Sequence, residues 1–228
     1  MIIIDVEASG TEYEKHSIVS IGAFDFDNPD NRFYQECYIW EIADTQDGST
    51  ISSEVVCEQC GAKCPKHIQP QSQAKIMDGA LEVNGFTKEE ITDKNKLSEA
   101  ELVAEFLLWS ESVEDKTLCG QNPSFDRDFI KAACARARIN WPLAYRTVDT
   151  HSLCWMHMVK RGYQIPIDKE QKRSMLNLNA LLNYCGIPRE PDPHNALTGA
   201  LCHGEVAARL LYDKNLLPEF AEFKIPWL

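Results

Sequence analysis

The chain has 228 residues, 44% of them hydrophobic and 25% charged, with a formal net charge of −12. That length and balance suit a single globular domain with a full core and exclude disordered or collagen-like chains. The acidic surplus argues against a broad basic surface for long duplex DNA, whose affinity rests on many Lys/Arg–phosphate contacts. It is compatible with a protein that grips one nucleic-acid end through divalent ions held by local carboxylates. No stretch approaches the ~20 apolar residues of a membrane helix, and the opening MIIIDVEASG lacks the basic flank of a secretory signal. The expectation is a cytoplasmic protein with no membrane partner. Its nine cysteines are expected to be reduced, most of them small buried hydrophobes.

In chain order, residues 2–7 (IIIDVE) predict a buried strand, 17–27 a second and 33–40 a third, with DNPDN as the turn between the last two. Three strands in succession predict an antiparallel meander. Residues 41–73 are polar and carry a tight Cys cluster, so they are expected to form an insertion or long loop. LEVNGFTKEEI (81–91) predicts a turn between short helices. Ser98 and Glu101 form a capping box ahead of a helix whose apolar stripe includes Leu102, Val103, Phe106, Leu107 and Trp109. TLCGQN (117–122) predicts a short strand, 124–138 a helix, RTVDT (146–150) a strand, and the residues up to Arg161 a helix beginning near an Asp149 cap. The segment after Arg161 reads as a loop, 176–186 as a helix stopped by Gly186, and His194–Tyr212 as the last helix. Strands followed by alternating helices and strands predict one α/β domain, residues 1–228, with a mixed sheet.

Asp5 and Glu7 lie two apart on the first strand, so their side chains share a face. Two carboxylates there either emerge into solvent or need a cation to offset repulsion and desolvation. Asp126 opens a helix, where the N-terminal partial charge also stabilises an acid. His194 suits a general base acting on water near neutral pH, or is a bystander ahead of the last helix.

Taken together, DVEASG, QNPSFDRDF and HNALTGA resemble, in order and spacing, the three motifs of the DEDDh 3′–5′ exonucleases. NGFTKEEI and LNLNALLNYCGIP resemble further segments of that family. The resemblance implies a ribonuclease H-like three-layer fold and a two-metal site. Asp5, Glu7 and Asp126 would hold two Mg²⁺ or Mn²⁺ ions, and His194 would deprotonate the attacking water. Ala8, Ser9, Gly10, Phe86, Asn122 and Phe125 would lie beside the terminal nucleotide, although both Phe residues read equally well as core. The implied partner is a nucleic-acid 3′ end, single-stranded or short, DNA or RNA.

The sequence departs from that family at Gly199, where a fourth acid is expected five residues after His194. Glycine carries no ligand and costs ~1 kcal/mol against alanine inside a helix. The chain is then a non-cutting relative that binds nucleic acid or a partner, an enzyme holding its metals with fewer carboxylates, or an enzyme in which another side chain replaces the ligand. His203, one helical turn on, is the candidate substitute; a surface histidine is the bland reading. Separately, Cys57, Cys60, Cys64 and His67 form C-x₂-C-x₃-C-x₂-H. That pattern offers four ligands to Zn²⁺ and a minor alternative function, a zinc-dependent interaction module; a mobile reduced loop is the plain reading.

Overall fold

The computed structural model describes residues 1–41 and 73–228. The Cys57, Cys60, Cys64 and His67 cluster lies outside the described residues, as does the expected insertion apart from its edges. Those edges meet, since Glu41 and Gln73 form an antiparallel bridge.

One six-stranded sheet, in the order β4-β3-β2-β1-β5-β6, organises the chain. Strands β1 (Ile2–Ala8), β2 (Ile18–Asp25) and β3 (Asn28–Tyr38) form the expected antiparallel meander. On one flank β5 (Leu118–Gly120) runs parallel to β1, and β6 (Thr147–Asp149) parallel to β5. On the other, β4 (Leu97–Ser98) runs parallel to β3. The helices are α1 (Asp78–Asn84), α2 (Glu99–Ser110), α3 (Ser124–Ala137), α4 (Thr150–Lys160), α5 (Leu178–Cys185) and α6 (Ala196–Tyr212).

Side-chain alternation along β1 feeds two cores. Ile2, Ile4, Val6 and Ala8 pack with Leu102, Phe106, Phe129 and Ile130 of α2 and α3. Ile3 points the other way, toward Leu181, Leu182 and Val206 of α5 and α6. The sheet is thus sandwiched between two helical layers, and Asp5 and Glu7 share the Ile3 face, under α6.

Local signals read from sequence act as expected. Ser98 Oγ accepts from Glu101 N while Ser98 N donates to Glu101, closing the capping box. Gly186 ends α5 at φ 73°, a left-handed cap that glycine adopts without strain. Asp149 caps α4 by accepting from His151 N. The cysteines among the described residues are all buried and unbridged.

Three details differ. The β2–β3 turn is formed by Phe26 and Asp27, so the turn-rich run that follows lies inside β3. A register shift at Phe24/Asp25 lets the strand accommodate Pro29. Residues expected as loop after α4 include a small hairpin, β7 (Ile167–Asp168) with β8 (Arg173–Ser174). Helix α6 begins at Ala196, because the Asn195 side chain accepts from Leu197 N and Thr198 N and so acts as the cap.

Two ion pairs with buried carboxylates fasten the layers. Glu99 accepts from Arg136 Nε and Nη2, each at 2.8 Å, and from Ser17 Oγ and Ile18 N. Within α6, Arg209 and Glu205 are fully buried and pair at 2.8 Å. Arg209 also donates to the carbonyls of Cys185, Phe220 and Phe223, and Glu205 accepts from Leu216 N and Leu217 N, so the C-terminal segment is clamped onto α5 and α6. Among the described residues no helix is long and apolar enough to cross a membrane.

Candidate active site

The site forms where β1 outruns β5. The two strands pair only through Ile2 and Ile3, so the β1 segment carrying Asp5 and Glu7 borders an opening that the start of α3 fills. Asp126, in the first turn of α3, is 3% exposed there. Burial raises its pKa well above the usual carboxylate range, and the Asp5 charge raises it further. Asp5 is pushed up to about 7, chiefly by burial, then by Glu190, against a lowering by the Val6 N–H. Glu7 is pushed up to about 8 by burial and Asp5, with His194 easing the strain. The structure therefore brings Asp5, Glu7 and Asp126 into one electrostatic neighbourhood, with His194 within range of Glu7.

Helix α6 lies very close over this face because the facing positions are small. A Cβ on Gly22, the β2 partner of Asp5, would fall 2.1 Å from the Ala196 carbonyl carbon. A Cβ on Gly199 would fall 2.3 Å from Asp5 Oδ2. Gly199 thus abuts the Asp5 carboxylate, and the space beside it is filled by Asp5 itself rather than left for a longer side chain.

His194 sits on the segment entering α6. Its side chain is 36% exposed and its Nε2 lies 3.8 Å from Asp192 Oδ1. Its backbone N–H donates to Val83 O at the end of α1, and Gly85 backs onto Pro193. Asn84 Nδ2 donates to Ala8 O. The NGFT segment therefore ties the end of β1 to the His194 segment.

The remaining expected residues divide. His203 is 2% exposed, not on the surface; its ring Nδ1 lies 3.1 Å from Ile4 O and against Gly120. Burial lowers its pKa, and the nitrogen facing that carbonyl is the one a neutral ring uses to donate. Ser9 is buried with its backbone committed: its N–H donates to Ser17 O and its carbonyl accepts from Met77 N. Ala8 is 7% exposed, and Gly10 is buried against the His16 ring. Phe86 is half-buried against Val19, Ile39 and Ile91, and Phe125 half-buried with its ring 4.7 Å from that of Phe129. Asn122, at φ 54°, is exposed; its side chain accepts from Ser124 Oγ and its carbonyl from Phe125 N.

One acid escaped the sequence reading. Glu190, in the Pro-flanked stretch before α6, is 8% exposed and acts on both Asp5 and Glu7. Its proximity to His194 and the surrounding prolines were the available hints; no helical or strand period marked it.

Among the described residues, no three His, Cys, Asp or Glu side chains form a closed metal-ligand set. The donor chemistry nevertheless fits a hard divalent cation: several carboxylates, two of them more than nine-tenths buried (Asp126, Glu190), and none bonded to Lys or Arg among the described residues. Such acids need either protons or a cation.

Comparison with known proteins agrees with this layout. The RNase T exonuclease family model matches residues 2–201. No curated protein sequence matches. Among solved structures, E. coli exonuclease I in complex with a dA16 oligonucleotide superposes with a TM-score of 0.60 at 15% identity, over 93% of this chain and 40% of that one. Exonuclease I from Methylocaldum szegediense gives 0.60 at 17%, over 93% and 41%. Cell-death related nuclease 4 gives 0.61 at 11%, over 94% and 64%. The chain therefore spans about two fifths of the length of the exonuclease I proteins it resembles. With the mixed sheet between helical layers, these matches identify a ribonuclease H-like α/β fold, and the chain belongs to the RNase T exonuclease family of the DEDD-type superfamily.

Proposed function

We propose that this protein is a metal-dependent 3′–5′ exonuclease, a single exonuclease domain interrupted by an insertion at about 41–73. It would hydrolyse phosphodiester bonds at the 3′ end of DNA or RNA and release nucleoside 5′-monophosphates. The observation that carries the reading is the convergence of Asp5, Glu7 and Asp126 from β1 and α3, with His194 in electrostatic range of Glu7.

The residues have separable roles. Asp5, Glu7 and Asp126 would hold Mg²⁺ or Mn²⁺, which when bound supplies Lewis-acid stabilisation of the attacking and leaving oxygens. His194, exposed enough to meet solvent, takes the proton from the attacking water. The new bond joins that oxygen to phosphorus, and the bond to the departing 3′ oxygen breaks. Phe125 and Phe86, both half-buried, would each present a ring face to the terminal bases, where stacking accepts any base. The net charge of −12 favours short or single-stranded ends over long duplex tracts. Single-stranded oligonucleotides bound by exonuclease I relatives of the same fold support that choice.

A second reading, a non-cutting nucleic-acid- or partner-binding relative, is favoured by Gly199, which offers Asp5 no neighbouring acid on α6. End-labelled single-stranded DNA and RNA, with Mg²⁺ or Mn²⁺, decide between them. Stepwise 3′ shortening by wild type that disappears in Asp5→Ala supports the enzyme. A wild type that binds the oligonucleotide, read by fluorescence anisotropy, and never shortens it selects the second reading.

A further inference from the structure

The acid that α6 lacks has a counterpart on the chain just ahead of it. Glu190 belongs to the stretch between α5 and α6, bracketed by Pro188 and Pro191. Its Oε1 faces Asn195 N at 3.5 Å, at the outer limit of a hydrogen bond. Asn195 caps α6, and its carbonyl accepts from Gly199 N at 2.9 Å. Glu190 is therefore held against the entry of the same helix whose second turn sets Gly199 on Asp5. No Lys or Arg bonds it among the described residues, and it is 8% exposed. Burial still raises its pKa, although His194 and His203 lie close enough to lower it; a carboxylate buried with one weak hydrogen bond and no Lys or Arg bonded to it is costly unless something else satisfies it.

A second observation points to a missing occupant. Ser20 pairs with Glu7 across β1 and β2, so the two side chains share the α6 face. Ser20 Oγ is fully buried and has no hydrogen-bond partner. Native proteins rarely leave such an oxygen unsatisfied. A divalent cation that keeps part of its water shell would answer both defects, taking carboxylates directly and offering water to the hydroxyl.

We infer that Glu190 supplies, from the loop before α6, the cation-binding carboxylate that Gly199 cannot, completing an acidic set with Asp5, Glu7 and Asp126. The inference rests on the metal-dependent reading above. It also explains how glycine is tolerated at 199: the ligand reaches the site from the neighbouring loop, while α6 comes close enough to press on Asp5. All donors are oxygens, so the ion is Mg²⁺ or Mn²⁺ rather than a soft metal.

Calorimetric titration with MnCl₂ and thermal melting with and without Mn²⁺ test this on the full chain. The proteins are wild type, Glu190→Gln, Asp5→Asn and, as a distant control, the exposed Glu222→Gln. Glu190→Gln and Asp5→Asn should each weaken Mn²⁺ binding at least fivefold, with Glu222→Gln unchanged. Without metal, Glu190→Gln should melt above wild type, because a buried charge facing Asp5 is gone, and it should gain less from Mn²⁺. A purely structural Glu190 predicts the reverse, a lower metal-free melting point and an undiminished gain, which would overturn the inference. So would binding by Glu190→Gln within fivefold of wild type while Asp5→Asn is weakened. If wild type takes up no Mn²⁺, or Asp5→Asn binds like wild type, the metal-dependent reading itself is refuted, and the inference with it.

Discussion

Gly199→Ala adds one carbon where helix propensity and packing oppose each other. In an exposed helix interior the change would add roughly 1 kcal/mol of stability. Here the new Cβ would stand 2.3 Å from Asp5 Oδ2, 2.9 Å from Cγ and 3.3 Å from Cβ. Carbon atoms do not approach that closely, so the Asp5 carboxyl must swing away or α6 must lift. Overpacking of this kind costs about 1–3 kcal/mol. Set against the propensity gain, the net change is a loss of about 0–2 kcal/mol. In a domain of this size that lowers the melting temperature by a few degrees, at roughly 2–4 °C per kcal/mol. The catalytic effect is larger, because a displacement near 1 Å in a reacting constellation can cost ~100-fold. The measurement pairs melting in EDTA with 3′ shortening of a single-stranded oligonucleotide in Mn²⁺. A Gly199→Ala protein that melts higher by the full propensity gain and keeps wild-type turnover would show that α6 does not press on Asp5, and the reasoning about position 199 would fail.

Three further outcomes follow from the same structure. Arg209→Met leaves the fully buried Glu205 carboxylate without its partner; urea denaturation should show a loss of about 3–5 kcal/mol, and a loss under 1 kcal/mol would mean the clamp is dispensable. His194→Gln removes the proposed base and should cut turnover by roughly 10²–10⁴-fold while leaving the melting temperature nearly unchanged, since the side chain is 36% exposed. Metal-free stability should fall as pH rises. Asp5 and Glu7 have ordinary values of 3.8 and 4.5 but titrate at about 7 and about 8 in the folded chain. Between those limits the folded state holds more protons than the unfolded one, so stability present in acid is lost toward pH 8. Melting in EDTA across that range should slope less steeply for Asp5→Asn/Glu7→Gln than for wild type, and parallel slopes would contradict the raised values.

How far the sequence reaches depends on whether a signal is local. The Ser98–Glu101 box, the Gly186 stop and the Asp149 cap are each satisfied by groups within a few residues, and each is present. Asp5 and Glu7 could be placed on one face because strand periodicity is local too. The β2–β3 turn was misplaced by residues that usually mark turns. Asp30 and Asn31 sit within β3, and a register shift absorbs the conflict. The β7–β8 hairpin carries too few residues for any period to show. From sequence, His203 is the candidate to reach back to position 199, with a surface histidine as the plain reading. In the fold it is buried and faces Ile4 O, and the space beside Gly199 belongs to Asp5.

By itself, then, the sequence determined the longer elements in their order, the mixed sheet and the family motifs around Asp5, Asp126 and His194, since backbone propensity, capping and side-chain alternation act over a few residues. Only the tertiary structure decided which acids face one another. β1 had to outrun β5 to admit Asp126, and α6 had to settle on Gly22 and Gly199 before Glu190, a residue without any periodic signature, came within range of Asp5 and Glu7. Charges separated by more than a hundred residues meet through packing alone, and no local rule encodes that distance.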